Sequence, residues 1–226
     1  MSRSAIFFLV ILALGLAILL VMLGLATIPT NLLGWFLVSI GLLYFFGIII
    51  VYWIRGIKFW SAEAGGANLR EERNDRSFWL IVFGMSAAVF ISPIEYLYFP
   101  EVLPRLVWMQ IAGLLVIMWG SVLFVWARRT LGEFYSGHVS IAQGQPLVQH
   151  GPYRFIRHPA YAGYILLALG LSLGYSSLAG FMMSLSLLLP SVIYRIRIED
   201  GLLAEHFGAQ FDDYAQKVKR LIPGIW

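Results

Sequence analysis

The sequence predicts an all-α fold, a polytopic transmembrane helical bundle of five to six membrane helices, and three observations carry that reading. Of 226 residues, 60% are hydrophobic and only 12% are charged, where a soluble globular domain has about 45–50% and about 25%. That is too little charge to cover a water-facing surface. The apolar residues are gathered into uncharged runs near the length that crosses hydrocarbon. The cations lie between those runs, on what alternation makes one side of a membrane.

The first run, Ala5 to Ile28, is too long for a signal-peptide core, and no small-x-small cleavage motif with a polar start follows it. Pro29-Thr30-Asn31 predicts a tight turn, and Leu32 to Ile54 the second arm of a helical hairpin. Residues 55–76 are polar and predict a solvated loop with a short helix. The third run, Phe78 to about Leu97, carries Pro93 and Glu95 near its end. The fourth, Leu106 to Ala127, stops at Arg128-Arg129. A polar stretch follows over 128–160. Two shorter runs, Tyr161 to Leu173 and Leu178 to Tyr194, are split by Gly174-Tyr175-Ser176-Ser177 and predict a short final hairpin. Gly170 and Gly174, four apart, predict close helix packing there. In the tail 195–220, Leu202, Leu203, His206, Phe207, Gln210, Phe211, Tyr214 and Val218 recur at helical spacing, predicting a C-terminal amphipathic helix. The chain divides into N-terminal membrane helices, 1–105, and a second region, 106–226.

With six crossings, residues 1–4, 55–76, 128–160 and 195–226 share a side. All of the 16 Lys and Arg residues except Arg105 fall there, so the positive-inside rule places both termini in the cytoplasm. The net charge of +4 reads as this bias, together with attraction to anionic membrane lipids, and no nucleic-acid partner is expected. With no cysteine, thiol nucleophiles and thiolate metal sites are excluded. His138, His150, His158 and His206 lack metal-ligand spacing, so no metal is expected. His206 reads as a packing residue of the tail.

Two polar segments sit where apolar runs meet the cytoplasmic side. In Arg157-His158-Pro159, a cation and an imidazole precede a proline that favours a helix start. They stand beside backbone N–H groups that attract anions, or serve as a cationic flank anchoring the helix at headgroups. In the second, Arg195 and Glu199 are four apart and Arg197 and Asp200 three apart, the spacing of ordinary helix ion pairs. Charges at interface depth are costly without a purpose. A carboxylate there suits a ribose diol or an amino group, and an arginine suits a carboxylate substrate.

At these segments the sequence resembles the isoprenylcysteine carboxyl methyltransferase family of integral-membrane enzymes. The shared pattern is Leu147-Val148, Gly151-x-Tyr153, Arg157-His158-Pro159-x-Tyr161-x-Gly163, Arg195-x-x-x-Glu199-Asp200, then Phe207-Gly208, Phe211, Tyr214, Val218 and Ile222-Pro223. It covers about residues 130–226, and the first 100 match in hydropathy alone. The family commonly has Glu-Glu where this chain has Glu199-Asp200. The resemblance implies S-adenosylmethionine as cofactor, held by Gln145, Leu147, Val148, Tyr153, His158, Pro159, Tyr161, Glu199 and Asp200. It implies Arg195 on the substrate carboxylate, with Arg157 beside it, and Arg195 and Glu199 as the catalytic pair. The loop and the C-terminal amphipathic helix would form the cofactor site. The acceptor would be a lipid-like carboxylic acid entering from the bilayer. The membrane would be the inner membrane of a prokaryote or the endoplasmic reticulum of a eukaryote.

Three rivals stand beside this reading. An NADPH-dependent reductase of the sterol type has a related Arg-His-Pro-x-Tyr region, but needs further cations for the nucleotide's phosphates. A phospholipid N-methyltransferase needs a base, for which His158 or Glu199 would serve. The third is a non-catalytic membrane scaffold or transporter; a transporter would carry charge deep in a crossing, whereas Glu95 lies near an end.

Overall fold

Backbone polar groups in hydrocarbon have no water to bond and must be satisfied within the chain, which makes uncharged runs of this kind helices. The computed structural model describes residues 3–43, 69–72, 77–136 and 139–226, and there the runs are helical. Helices α1 (Arg3–Thr27) and α2 (Leu33–Leu43) form the expected hairpin. After them come α3 (Ser77–Tyr98), α4 (Val107–Leu131) and α5 (Pro159–Gly174). Among the described residues, three helices are long and apolar enough to cross a membrane: Trp79–Tyr98, Val107–Phe134 and Leu178–Phe207. Shorter apolar helices cover Leu14–Thr27, Leu33–Leu43 and Pro159–Gly174. The far end of the second run, and the short helix expected in 55–76, lie outside the described residues, except at 69–72. Those four are a strand, β1 (Leu69–Glu72), paired antiparallel with β2 (Ser140–Ala142). The polar loop is therefore tied by backbone bonds to the second polar stretch.

The last hairpin differs from the expectation in length. Its second arm does not stop at Tyr194. It runs from α6 (Leu178–Met183) through a π turn, Ser184–Leu188, into α7 (Leu189–Phe207), 30 residues in all. The π turn stands just ahead of Pro190, where the helix must absorb a missing donor. Arg195 and Asp200 do not end the helix, because both are buried against polar partners inside the bundle. The break comes at Gly208, whose φ of 53° suits glycine. The separate amphipathic element shrinks to α8 (Ala209–Lys217).

Close packing is set by α4 against α5. A Cβ on Gly113 would lie 2.5 Å from the Gly174 Cα, and one on Gly170 would lie 2.9 Å from the Gly113 carbonyl. The two backbones therefore touch, as small residues four apart permit. The end of the bundle opposite the polar segments is fastened by buried polar side chains. Asn31 Nδ2 donates to the Gly174 carbonyl at 2.7 Å. Glu95 accepts from Ala179 N at 2.9 Å and from the Ser177 hydroxyl. This carboxylate stands at the N-terminus of α6, where the free N–H groups favour an anion. Its role is structural. Along α4, Trp108, Ile111, Leu115, Trp119, Val122 and Trp126 are exposed at steps of three or four, an apolar stripe of the kind that faces lipid.

Candidate functional site

The polar segments fold against one another around a cavity of about 470 Å³. Its walls come from α3 (Ile81, Met85), the loop after β2 (Gln145, Leu147, Val148), the short 3₁₀ turn Gly151–Arg154 (Tyr153) and the mouth of α5 (Arg157, His158, Tyr161, Tyr164). The remaining walls are α7 (Arg195, Glu199, Leu202) and α8 (Phe211, Tyr214). Residues far apart in sequence meet here: Tyr161, at the start of α5, bonds Arg195 and Glu199 of α7, and beyond the turn at Gly208 Phe211 and Tyr214 of α8 line the wall.

Two charge networks line up along α7. In the first, Tyr161 stands between Arg195 and Glu199. Arg195 Nε donates to the Tyr161 hydroxyl at 2.8 Å, and that hydroxyl donates to Glu199 Oε2 at 2.8 Å. Arg195 Nη1 also reaches Ser77 Oγ, at the first residue of α3, at 3.3 Å. Arg195 is 3% exposed, whereas the Glu199 side chain is 33% exposed. The guanidinium is thus held rigidly and the carboxylate is partly open.

The second network centres on Asp200. Its Oδ2 accepts from Arg157 Nη2 at 2.9 Å and from Arg220 Nε at 2.7 Å, and its Oδ1 lies 2.8 Å from His158 Nε2. Arg157 Nη1 donates to the carbonyls of Ala215 and Val218, both at 2.9 Å. Backbone bonds from Arg157 N to the Lys219 carbonyl and from His158 N to the Arg220 carbonyl complete the clasp. It fixes the segment after α8 to the mouth of α5. Phe211 and Tyr214 of α8 are thereby kept in the cavity wall, and the Tyr214 hydroxyl donates to the Tyr153 carbonyl at 2.6 Å. Burial pushes the Tyr153 phenol far up, and the Glu199 charge adds to that, so it is a neutral hydroxyl at any physiological pH.

The structure therefore brings Gln145, Leu147, Val148, Tyr153, Arg157, His158, Tyr161, Arg195 and Glu199 to one cavity. Two of the expected site residues stand apart. Pro159 is buried as the first residue of α5, and Asp200 faces the clasp rather than the cavity. Arg157 lines the wall; Asp200 and two carbonyls engage its terminal nitrogens, and its buried Nε has no hydrogen-bond partner among the described residues. The helix ion pairs also differ. Arg197 is exposed and Asp200 bonds Arg157 and Arg220 instead, while Arg195 and Glu199 are linked through Tyr161. The reason is burial: inside the bundle, Asp200 bonds the cations that crossing elements bring to it rather than the one its own helix offers.

Sequence reasoning missed Ser77, Tyr135, Tyr164 and Arg220. Ser77 looked like the polar edge of an apolar run, and nothing in its spacing ties it to Arg195. Tyr135 and Tyr164, with hydroxyls 3.3 Å apart, line the cavity from α4's end and α5. A tyrosine on an otherwise aliphatic face, one turn after Tyr161, was the available signal for Tyr164.

The chain matches the phospholipid methyltransferase family over residues 108–210, from α4 to the start of α8. It is 30% identical over 146 residues to a probable protein-S-isoprenylcysteine O-methyltransferase of Oryza sativa subsp. indica, covering 64% of this chain and 76% of that protein. It is 33% identical over 157 residues to the uncharacterized protein YpbQ of Bacillus subtilis, covering 65% of this chain and 90% of that one. Its fold is similar to that of a solved eukaryotic intramembrane Ras methyltransferase, isoprenylcysteine carboxyl methyltransferase. The TM-score is 0.58 at 24% identity, over 85% of this chain and 66% of the solved one. The family match spans Arg157, His158, Tyr161, Arg195, Glu199 and Asp200, and with the identity and coverage of these relatives the chain belongs to the isoprenylcysteine O-methyltransferase family of membrane enzymes.

Proposed function

We propose that the chain transfers a methyl group from S-adenosylmethionine to the carboxylate of an isoprenylcysteine-type lipid acid, with the cavity and both termini on the cytosolic side. One observation carries this reading: a buried guanidinium, Arg195, and a partly open carboxylate, Glu199, face the same cavity and are kept apart by a single hydroxyl.

The cavity suits such a donor. Its volume of about 470 Å³ lies within the range of about 300–1,000 Å³ common for small-molecule sites. Glu199 Oε2 is taken by Tyr161, while its partial exposure leaves acceptor capacity for ribose hydroxyls or an amino group. Tyr153, Phe211 and Tyr214 supply aromatic surface for a purine ring, and Gln145 with Leu147 and Val148 supplies the facing wall. A phosphate-bearing nicotinamide cofactor fits less well, because Asp200 already neutralises the Arg157 guanidinium.

When bound, the donor supplies an electrophilic methyl on a sulfonium and departs as a neutral thioether. The acceptor acid is already deprotonated at neutral pH, so the chain need provide no base. Its contribution is positioning, which is worth several kcal/mol when two reactants are held in line. Arg195, pinned by Tyr161 and Ser77, holds and orients the carboxylate through parallel N–H bonds. Ile81 and Met85, on α3 beyond Ser77, give the apolar wall on which the acceptor's hydrocarbon lies. Leaving the long tail in lipid explains why the site stands at the membrane boundary. The clasped α8 shields the reacting atoms from water.

The test uses the purified chain in lipid nanodiscs. S-adenosylmethionine should raise its melting temperature and NADPH should not. With N-acetyl-S-farnesylcysteine as acceptor, mass spectrometry should show the methyl ester. Stabilisation by NADPH alone, or methylation of an amine lipid in place of the acid, would overturn the reading.

A further inference from the structure

Tyr135, which caps the 3₁₀ turn after α4, and Tyr164, one turn beyond Tyr161 on α5, line the cavity and belong to neither charge network. Their hydroxyls lie 3.3 Å apart and, among the described residues, bond only each other. Two phenols carry two protons, and bonding each other uses one of them. What remains is one O–H donor beside unused lone pairs, the complement of a secondary amide. We infer that the Tyr135–Tyr164 pair is a specificity-determining subsite that bonds an amide next to the acceptor's carboxylate, so that the chain favours an N-acylated amino acid, such as the last residue of a peptide, over a simple lipid acid. The inference deepens the proposed function and rests on it.

The pair stands at the acceptor's end of the cavity. Tyr164 packs on the same apolar cluster as Ile81 and Met85, the wall assigned to the acceptor's hydrocarbon. Its ring neighbours that of Tyr161, with centroids 6.3 Å apart, and Tyr161 bonds Arg195, the group assigned to the carboxylate. In an S-prenylated cysteine the α-carbon joins three substituents: the carboxylate, the methylene that leads to the tail, and the amide nitrogen. With the first two assigned, the third needs a polar partner close by, and the two hydroxyls are that partner. Their rings are held in place. Phe124 touches both, with centroids 6.2 Å from Tyr135 and 5.1 Å from Tyr164, and the Arg128 guanidinium lies 5.3 Å from the Tyr135 ring centroid. The hydroxyl–hydroxyl separation of 3.3 Å exceeds the about 2.7–2.8 Å usual for such bonds, so a ligand displaces a weak contact. Packing alone would be served equally by phenylalanine.

The test compares two acceptors on the full chain in nanodiscs. One is N-acetyl-S-farnesylcysteine, and the other is S-farnesylthiopropionic acid, the same acid without the acetamido group. Wild-type kcat/KM should be at least about tenfold higher for the first, the scale of one hydrogen bond, because a site built to bond a polar group rejects the analogue that lacks it. Y135F/Y164F keeps both rings and removes both hydroxyls. In that variant the preference should shrink to about threefold or less, through a fall in kcat/KM on the amide-bearing acid. Melting temperature and the calorimetric affinity for S-adenosylmethionine should stay at wild-type values, since both partners of the hydroxyl–hydroxyl bond are removed together. A wild-type chain without the preference, a double variant that keeps it, or a parallel loss of donor affinity overturns the subsite and leaves the proposed function standing. Methylation of neither acid overturns both.

Discussion

Glu199 and Asp200 are neighbours on one helix with the same charge, and the bundle gives them opposite situations. Glu199 has a side chain 33% exposed, faces the cavity and bonds one hydroxyl. Asp200 is 7% exposed, lies outside the cavity wall and bonds two arginines and a histidine. A step of about 100° around the helix separates a group that remains available from one that is fully engaged. Adjacent acids in a motif thus need not share a task. The open one can meet a ligand, and the closed one holds together the elements that shape the ligand's chamber.

The largest expected effect comes from the cavity's cation. Arg195→Ala should lower methyl transfer by at least about 100-fold, the scale seen when a group aligned on the reacting centre is removed, while donor affinity measured by calorimetry changes little. If donor affinity falls in parallel, the separation between an acceptor-side guanidinium and a donor-side carboxylate is wrong. Asp200→Ala should act next most strongly, and differently. It strands Arg157 in the interior, and breaking a buried ion pair typically costs about 3–5 kcal/mol. The melting temperature should drop, and donor and acceptor affinity should fall together as α8 loosens. A stable Asp200→Ala protein that loses only donor affinity would place Asp200 with Glu199 and erase the contrast.

How far this contrast could be read from sequence depends on what determines each part. Runs such as Leu106 to Ala127 declare their helices, because hydrocarbon leaves the backbone no alternative. The cavity's polar residues were visible as charges at the ends of apolar runs, where they are costly without a role. Spacing along α7 also put Arg195 and Glu199 on one face. It could not show that Tyr161 intervenes, that Asp200 turns away, or that Ser77 supports Arg195, since each depends on where α5 and α3 cross α7. The overrun of α7 past Tyr194 was hidden for the same reason: Arg195 ends a run by composition, yet tertiary partners bury it. The strand at 69–72 had no period long enough to announce it.

A smaller effect tests the open acid. Glu199→Gln keeps shape and burial but removes the charge, so donor affinity should weaken by about tenfold, as for loss of one charge-assisted hydrogen bond, with the melting temperature nearly unchanged. A large drop in melting temperature would make Glu199 a structural acid like its neighbour.

The smallest effect comes from within the clasp, and it asks whether burial or bond count makes Asp200 structural. Arg157 and Arg220 both bond Asp200 Oδ2, at 2.9 and 2.7 Å, but the Arg157 side chain is 7% exposed and that of Arg220 35%. If bond count governs, Arg157→Ala and Arg220→Ala should destabilise alike. If burial governs, Arg220→Ala should cost no more than about 1 kcal/mol, because water screens the pair and replaces the lost donor. Arg157→Ala should cost several times that, since the carboxylate and the carbonyls of Ala215 and Val218 would lose a partner that water cannot reach. Urea titrations of the two variants in the same detergent compare the costs directly. Equal midpoints would mean that the clasp is held by the sum of its bonds, and Asp200 would then differ from Glu199 only in how many partners it has found.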